Sequence, residues 1–225
     1  MTTQANISFI PVIAIDGPSA SGKGTVAQRV AETLGFHYLD SGALYRIVAL
    51  AAKQHGIAWN DEDALAAMAK QLIIEFQQDR ILLNGNDVSE GVRTEEMSRG
   101  ASEVAVHPAV RRALLGVQHS FRRAPGLVAD GRDMATVIFP DAGTKIYLTA
   151  SVEIRAERRY KQLMSKGIHA NLHDILQDLQ ARDARDQQRT AAPLQQAQDA
   201  KLLETSQLSI EQSIAKALDM VAQTQ

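Results

Sequence analysis

The stretch GPSASGKGT, residues 17–25, decides the fold. Gly, four residues, Gly and Lys, followed by Ser or Thr, is the pattern of a loop that binds phosphate groups through its backbone N–H groups. Here Gly24 stands where the hydroxyl residue is expected, and Thr25 comes one place later. The β-branched run at residues 12–15 precedes the loop, and a helical stripe with a step of four begins at Val26. This strand, loop and helix context favours a phosphate-binding loop over a chance glycine-rich turn.

The rest of the chain alternates between short apolar runs and helical stripes. Alternation of this kind predicts a parallel sheet covered by helices on both faces, with ligands at the carboxyl ends of its strands. We expect strands at residues 12–15, 36–39, 127–129, 144–150 and 201–203. We expect helices at residues 23–34, 43–55, 60–70 with Asn60 as N-cap, 94–123 with a break at Pro108, 152–166, 172–188 from an Asn171 N-cap, and beyond the Ser209 and Gln212 capping box.

One segment departs from this pattern. The runs LIIEF and RILL, within residues 72–92 and separated by the polar residues 77–79, are typical of short antiparallel strands. We therefore predict an α/β fold with three layers and a single domain over residues 1–225, whose core is formed by about residues 1–60 and 94–225. A β-containing insert would occupy about residues 61–93, and a charged helical lid about residues 155–190.

Composition excludes several classes of protein. The formal net charge is -2 and aromatic residues make up 4%, so no basic field or stacking platform for a nucleic acid polymer is expected. There is no cysteine, which excludes disulfides and thiolate chemistry. The N-terminal residues 1–16 lack the features of a secretory signal, and no apolar run has membrane-spanning length. We expect a cytoplasmic protein without membrane contacts.

The turn DGRD, residues 130–133, follows a predicted strand and therefore lies at the ligand-binding edge of the sheet. Asp130 is suited to hold the water shell of a magnesium ion beside the phosphate loop. Arg132 could bind a phosphate through two N–H groups, and Asp133 could accept hydrogen bonds from a polar ligand. The alternative is a surface turn with a local ion pair, and the position favours a site.

The stretch ARDARDQQR, residues 181–189, changes the character of a helix partway along it. Steps of seven from the apolar residues Ile175 and Leu179 lead to Arg182 and Asp186, and Arg189 is seven beyond Arg182. The face of the helix that is apolar in its first half is therefore charged in its second half. This pattern predicts that the second half of the helix places arginine side chains over a binding site. Arg185 lies on another side, where we expect only solvent.

Two further groups are ambiguous from sequence. Arg155, Arg158 and Arg159 share a helical face and could reach phosphates, but nearby glutamates make surface ion pairs equally plausible. His169 and His173 have a spacing that allows metal binding on one helix face, but no third ligand is evident, so we interpret them as surface residues.

The stretches IDGPSASGKGT, LDSGALYR, ADGRDMATVIFPDA, RDARDQQR and LSIEQ together resemble the bacterial cytidylate kinases over nearly the whole chain. The resemblance implies a P-loop kinase of pyrimidine nucleotide metabolism that transfers the γ-phosphoryl group of ATP to CMP or dCMP. It also implies Mg²⁺ as cofactor, an enlarged monophosphate-binding insert and a helical lid. We expect a monomer.

The resemblance assigns roles residue by residue. It implies catalytic roles for Lys23, Arg132, Arg182 and Arg189. It implies ATP phosphate contacts for Gly17, Pro18, Ser19, Ala20, Ser21, Gly22, Lys23, Gly24 and Thr25, and a metal contact through water for Asp130. It implies CMP contacts for Ser41, Tyr45, Arg46, Ser102, Arg111, Arg132, Asp133, Arg182 and Asp186, of which Ser102, Arg111 and Asp133 would read the base.

Two other functions remain open at this stage. The phosphate loop alone is compatible with a kinase for another nucleoside monophosphate or a small hydroxyl acceptor. A nucleotide-dependent switch is a further class, but the sequence contains neither Asp-x-x-Gly nor Asn-Lys-x-Asp, which GTPase switches are expected to carry.

Overall fold

The computed structural model describes residues 10–77 and 80–224, so the N-terminal segment before residue 10 lies outside the described residues. The strands are β1 Val12–Asp16, β2 His37–Asp40, β3 Ile74–Gln77, β4 Arg80–Leu83, β5 Asn86–Asp87, β6 Leu127–Gly131, β7 Thr144–Thr149 and β8 Lys201–Glu204. The α-helices are α1 Lys23–Leu34, α2 Ser41–Gln54, α3 Glu62–Ala69, α4 Glu95–Val104, α5 Pro108–Ser120, α6 Val152–Ser165, α7 Leu172–Gln188 and α8 Ile210–Ala222.

Five parallel strands form the central sheet in the order β2-β6-β1-β7-β8. At the carboxyl end of β1, Asp16 pairs with Gly131 of β6 and with Tyr147 of β7. The loop that follows β1 and the charged turn that follows β6 therefore leave the sheet side by side. This register creates the ligand-binding edge that the sequence predicts.

Alternating side chains of the sheet build two apolar cores. Ile13 and Ile15 of β1 pack with α1 and α8 on one face, whereas Val12 and Ala14 pack with α2, α4 and α5 on the other. Because both faces are covered, the central strands β1 and β6 are buried at every position and start with continuous apolar runs, as buried parallel strands do. The predicted three-layer α/β fold is confirmed.

A second, three-stranded antiparallel sheet of β3, β4 and β5 interrupts this arrangement. It follows α3 and confirms the predicted switch to antiparallel strands, although residues 78 and 79 of the predicted polar turn lie outside the described residues. The division into core, insert and lid stays a prediction. Within residues 10–77 and 80–224, no helix is long and apolar enough to cross a membrane.

Several helix boundaries differ from the sequence prediction. The N-cap of α3 is Asp61, whose carboxylate accepts from the backbone N–H of Ala64, so the prediction of Asn60 was wrong by one residue. Helix α2 begins at Ser41 because Asp40 caps it. A π-helix at Met134–Ile138, directly after the DGRD turn, was not predicted. The Asn171 cap, the Ser209 capping box and the break before Pro108 are confirmed.

Candidate active site

The loop between β1 and α1 is shaped by two glycines. A Cβ at Gly17 would lie 1.9 Å from the carbonyl oxygen of Leu148 in β7, so only glycine allows this approach of two backbones. Gly22 has a φ of 91°, in the left-handed region that favours glycine, and α1 begins at the next residue. Backbone N–H groups and the N-terminus of α1 thus face the same space, the arrangement expected for a phosphate site.

Lys23 and Asp130 face each other beneath this loop. Lys23 Nζ lies 3.7 Å from Asp130 Oδ1; the Asp130 side chain is buried, and that of Lys23 is 12% exposed. Burial lowers the pKa of Lys23 to about 8, and the neighbouring Arg132 adds to the shift. Burial also raises the pKa of Asp130. Because burial destabilises the charged form of Lys23, an anionic ligand beside it would stabilise that form strongly.

Gly24 is explained by what surrounds it. A Cβ at this position would lie 3.1 Å from Asp130 Oδ2 and 3.6 Å from the hydroxyl oxygen of Tyr38. The Tyr38 hydroxyl in turn lies 3.4 Å from Asp130 Oδ2. A side chain at position 24 would therefore be in tight contact with the Asp130 carboxylate and in ordinary contact with the Tyr38 phenol.

The residues around Asp130 fit a loosely held magnesium ion. Asp130 Oδ1 is buried without a hydrogen-bond partner. The described part of the chain contains no group of three His, Cys, Asp or Glu side chains that could hold a metal. The protein could thus supply one carboxylate, and phosphate oxygens and water would complete the octahedron that Mg²⁺ requires.

A cleft of about 160 Å³ lies between the sheet edge, α2, α4, α5 and α7. It brings together every residue that the sequence assigned to the acceptor side and to catalysis, and Asp130 as well. These residues are Lys23, Ser41, Tyr45, Arg46, Ser102, Arg111, Asp130, Arg132, Asp133, Arg182, Asp186 and Arg189.

The charged residues of this cleft bind one another. Arg111 forms an ion pair with Asp133, and Arg132 Nε donates to Asp186 Oδ2 at 2.8 Å. Burial raises the pKa of Asp133. Burial alone would also raise the pKa of Asp186, but the guanidinium of Arg132 holds it below its usual value. The carboxylates and guanidinium groups therefore compensate each other's charge within the cleft.

Three arginines of the cleft keep a buried donor without a partner, namely Arg46 Nε, Arg182 Nε and Arg189 Nη2. Arg189 Nη2 and Arg182 Nε are buried and make no hydrogen bond, although Arg189 Nη2 lies 3.6 Å from Asp133 Oδ1. Burial lowers the pKa of Arg182 to about 10, with Arg132 adding to the shift. A buried guanidinium with unused N–H groups is suited to receive an anion.

A wider cleft of about 840 Å³ opens from this region between α4, α6 and α7. Lys23, Arg46, Arg132, Arg159 and Arg182 line both its floor and its walls. Across its mouth, Arg159 of α6 forms an ion pair with Glu95 at the start of α4. The space is large and basic enough for a polyphosphate chain.

Two arginines of α6 hold the phosphate loop through its backbone. Arg155 Nη1 donates to the carbonyl oxygen of Ser19 at 3.0 Å, and Arg158 Nη1 donates to that of Ser21 at 3.1 Å. Asp183 of α7 lies 2.7 Å from Arg155 Nη1 and accepts from the N–H of Ser19 at 3.4 Å. From sequence, Arg155 and Arg158 could either bind phosphate groups or form ion pairs at the surface. The structure shows neither, because both side chains bind backbone carbonyl groups of the loop.

The prediction that Arg185 meets only solvent was wrong. Arg185 Nη1 donates to Ser102 Oγ at 2.6 Å, so α7 contacts α4 at the edge of the smaller cleft. The seven-residue steps that identified Arg182 and Asp186 could not find it, because it approaches a second helix rather than the sheet. His173 contacts Gln177 at 2.9 Å and is exposed, consistent with a surface residue.

A third cavity, of about 390 Å³, lies behind the phosphate loop. Sequence patterns gave no signal for it, because its walls come from the loop, from α6 and from the connection between β8 and α8. The residues that shape it include Ser21, Thr25, Arg158, Thr205 and Ile210.

Comparison with known proteins agrees with this geometry. A family model described as Cytidylate kinase matches residues 13–223. A cytidylate kinase from Cupriavidus necator is 59% identical over 96% of this chain and 97% of its own length. One from Polynucleobacter asymbioticus is 61% identical over 95% of this chain and 97% of its own length. A crystal structure of an uncharacterized protein from Eubacterium ventriosum shares the fold, with a TM-score of 0.52 and 10% identity over 95% of this chain and 98% of that one.

The contacts of Asp183 predict a strong effect on stability. Asp183→Ala should lower the free energy of unfolding by about 3 kcal/mol, because it leaves Arg155 buried without its carboxylate. Asp178→Ala, on the same helix, is the control, since Asp178 is half-exposed and lies 3.9 Å from Arg182, so its loss should cost about 1 kcal/mol or less. Urea denaturation of both variants measures the difference. Equal losses would show that Asp183 does not stabilise the loop.

Proposed function

This chain belongs to the cytidylate kinase family, and from that premise we propose that it transfers the γ-phosphoryl group of ATP to CMP or dCMP, giving ADP and CDP or dCDP. One observation carries the proposal: the wider cleft beside the phosphate loop and the smaller, arginine-rich cleft, which we interpret as the acceptor cleft, share Lys23, Arg46, Arg132 and Arg182, so the two spaces adjoin. A shared wall of cations is what transfer between two phosphate groups requires.

The reaction needs positioning and charge neutralisation rather than a general base. The acceptor is already an anion at neutral pH, so no proton has to be removed from it. Two polyanions must be held in line while charge spreads over the moving group. We assign this task to Lys23, Arg132, Arg182 and Arg189, whose guanidinium and ammonium groups border the joint space.

The acceptor contacts are assigned by their neighbours in the cleft. Arg46 and Arg132 would bind the monophosphate, and Ser41 and Tyr45 lie on the same wall. Arg182 and Asp186 would contact the ribose, since a carboxylate accepts hydrogen bonds from hydroxyl groups. Ser102, Arg111 and Asp133 would read the cytosine edge, which offers both a donor and acceptors.

ATP would bind its phosphates on residues 17–25 and its adenine in the cavity behind the loop. Arg158 forms one wall of that cavity, and its planar guanidinium is suited to stack on a base. A magnesium ion held beside Asp130 through water would neutralise charge on the phosphate oxygens. The lid, about residues 155–190, and the insert, about residues 61–93, would exclude water, because water in the closed site would hydrolyse ATP.

We also propose that the protein is cytoplasmic.

An acceptor profile tests the proposal. ADP release should require CMP or dCMP, with UMP, AMP and shikimate giving much lower kcat/KM, and it should be measured in a coupled assay. ADP release with UMP or AMP but not with CMP would reject the assignment. Turnover of ATP that ignored every acceptor would indicate a nucleotide-dependent switch instead.

Lys23→Met tests the role of the loop lysine. We expect kcat to fall by about 10²–10³-fold, the typical effect of losing one preorganised electrostatic group. The fold should be retained, because burial already disfavours the charge of Lys23, as its lowered pKa of about 8 indicates. Circular dichroism and a thermal melt provide the check, and an unfolded variant would mean that the position is structural.

Asp186→Ala tests the acceptor side. The KM for CMP should rise by about tenfold or more, since a buried hydrogen bond to a charged group is worth about 1.5–3 kcal/mol. The KM for ATP should stay within about threefold. Gln187→Ala, at the exposed position next to Asp186 on α7, should change neither value. An equal loss for both substrates would contradict the ribose assignment.

A further inference from the structure

Asp16, the last residue of β1, is a buried carboxylate that no step of the proposed reaction uses. It is 2% exposed, and it accepts two backbone hydrogen bonds, from Met134 N at 2.9 Å and from Ala135 N at 2.8 Å. Burial raises its pKa to about 7, with Asp133 and Asp130 adding repulsion. A buried acid at this position lowers the stability of the fold, so its presence calls for a functional explanation.

The two N–H groups that Asp16 binds open the π-helix Met134–Ile138. The chain leaves β6 at Gly131, which is held opposite Asp16 by the sheet register. Between that point and Met134 lie Arg132 and Asp133. These two residues are therefore fixed from both ends, on one side by the sheet and on the other by the Asp16 side chain.

Asp16 also immediately precedes Gly17, the first residue of the phosphate loop. Its backbone leads into the donor site, while its side chain anchors the turn that presents Arg132 and Asp133 to the acceptor cleft. Asp16 therefore connects the phosphate loop of the donor site with the turn that borders the acceptor cleft. A hydrophobic replacement would leave two buried N–H groups without acceptors, and asparagine would offer an acceptor to one and a donor to the other.

We propose that Asp16 is a positioning residue for acceptor recognition, which holds the Arg132–Asp133 turn in register with the phosphate loop. The inference rests on the proposed function, because it assigns the turn to CMP binding. It differs from a purely structural role in what it predicts: acceptor affinity and base selectivity should depend on Asp16 beyond any effect on stability.

The test is Asp16→Asn. The KM for CMP should rise by about tenfold, the equivalent of about 1.4 kcal/mol, and the ratio of kcat/KM for CMP over UMP should fall by a similar factor. The KM for ATP should stay within about twofold. If the Asn variant does not fold, Asp16→Ser, which keeps one acceptor, takes its place with the same expectations.

Val12→Ala is the matched control. Val12 lies at the other end of β1, is buried, and contacts the apolar core rather than the cleft. It should lower the melting temperature while leaving both KM values and the CMP over UMP ratio unchanged. The inference is overturned if the Asp16 variant loses only stability, or if Val12→Ala loses the same selectivity at equal stability.

Hydrogen exchange supplies a readout independent of catalysis. In the wild-type protein, the amides of Met134 and Ala135 should exchange as slowly as those of β1, and Asp16→Asn should accelerate them at least tenfold more than it accelerates β1 amides. Fast exchange at these amides in the wild-type protein would refute the anchor. Failure of the proposed function is recognised separately, as wild-type protein that shows no CMP-dependent ADP release while its exchange pattern is as expected.

Discussion

Burying a charge without a partner costs several kcal/mol, and this constraint shapes the whole acceptor cleft. Its arginines lie where we propose that phosphate groups bind, so in the protein alone their charges need other partners. Carboxylates of the cleft take that role: Asp133 pairs with Arg111, and Asp186 pairs with Arg132. The site is therefore a set of ion pairs whose members are held by different elements, α5 and α7 against the turn after β6.

This arrangement bears on selectivity. A phosphate group that binds Arg132 would compete with Asp186, and the released carboxylate then needs hydrogen-bond donors of its own. Inorganic phosphate has none to offer at that position, whereas a nucleoside monophosphate brings ribose hydroxyl groups and a base amino group in the same molecule. An acceptor that satisfies the cations and the carboxylates together is favoured over one that satisfies only the cations. The unpaired donors on Arg182 and Arg189 add to the attraction for phosphate without requiring an ion pair to break.

The fold could be predicted from sequence because each signal was local. The phosphate loop, its flanking strand and helix, and the charged end of α7 are all visible within about a dozen residues. The role of Arg155 and Arg158 was not predictable, because they bind backbone carbonyl groups of a loop distant in sequence. Every residue type has such a carbonyl group, so the sequence of the loop gives no sign of these contacts. Arg185 was misjudged for the related reason that helix periodicity describes one partner surface, whereas α7 contacts two. Asp16 was hidden within an apolar strand whose pattern gives no hint of a carboxylate that caps another segment.

Gly24 shows how a local departure from a motif can have a long-range cause. The parallel pairing of β1 with β6 places Asp130 opposite Ile15, one residue before the end of β1, and so directs its carboxylate under the start of α1. Tyr38, from β2 on the far side of β6, reaches the same carboxylate, and burial raises the pKa of its phenol, which keeps it a hydrogen-bond donor. A side chain at position 24 would make a tight contact with this carboxylate, which would have to shift by a few tenths of an ångström. The sheet register therefore places an acid from a neighbouring strand close to position 24, where the common motif has a hydroxyl of its own.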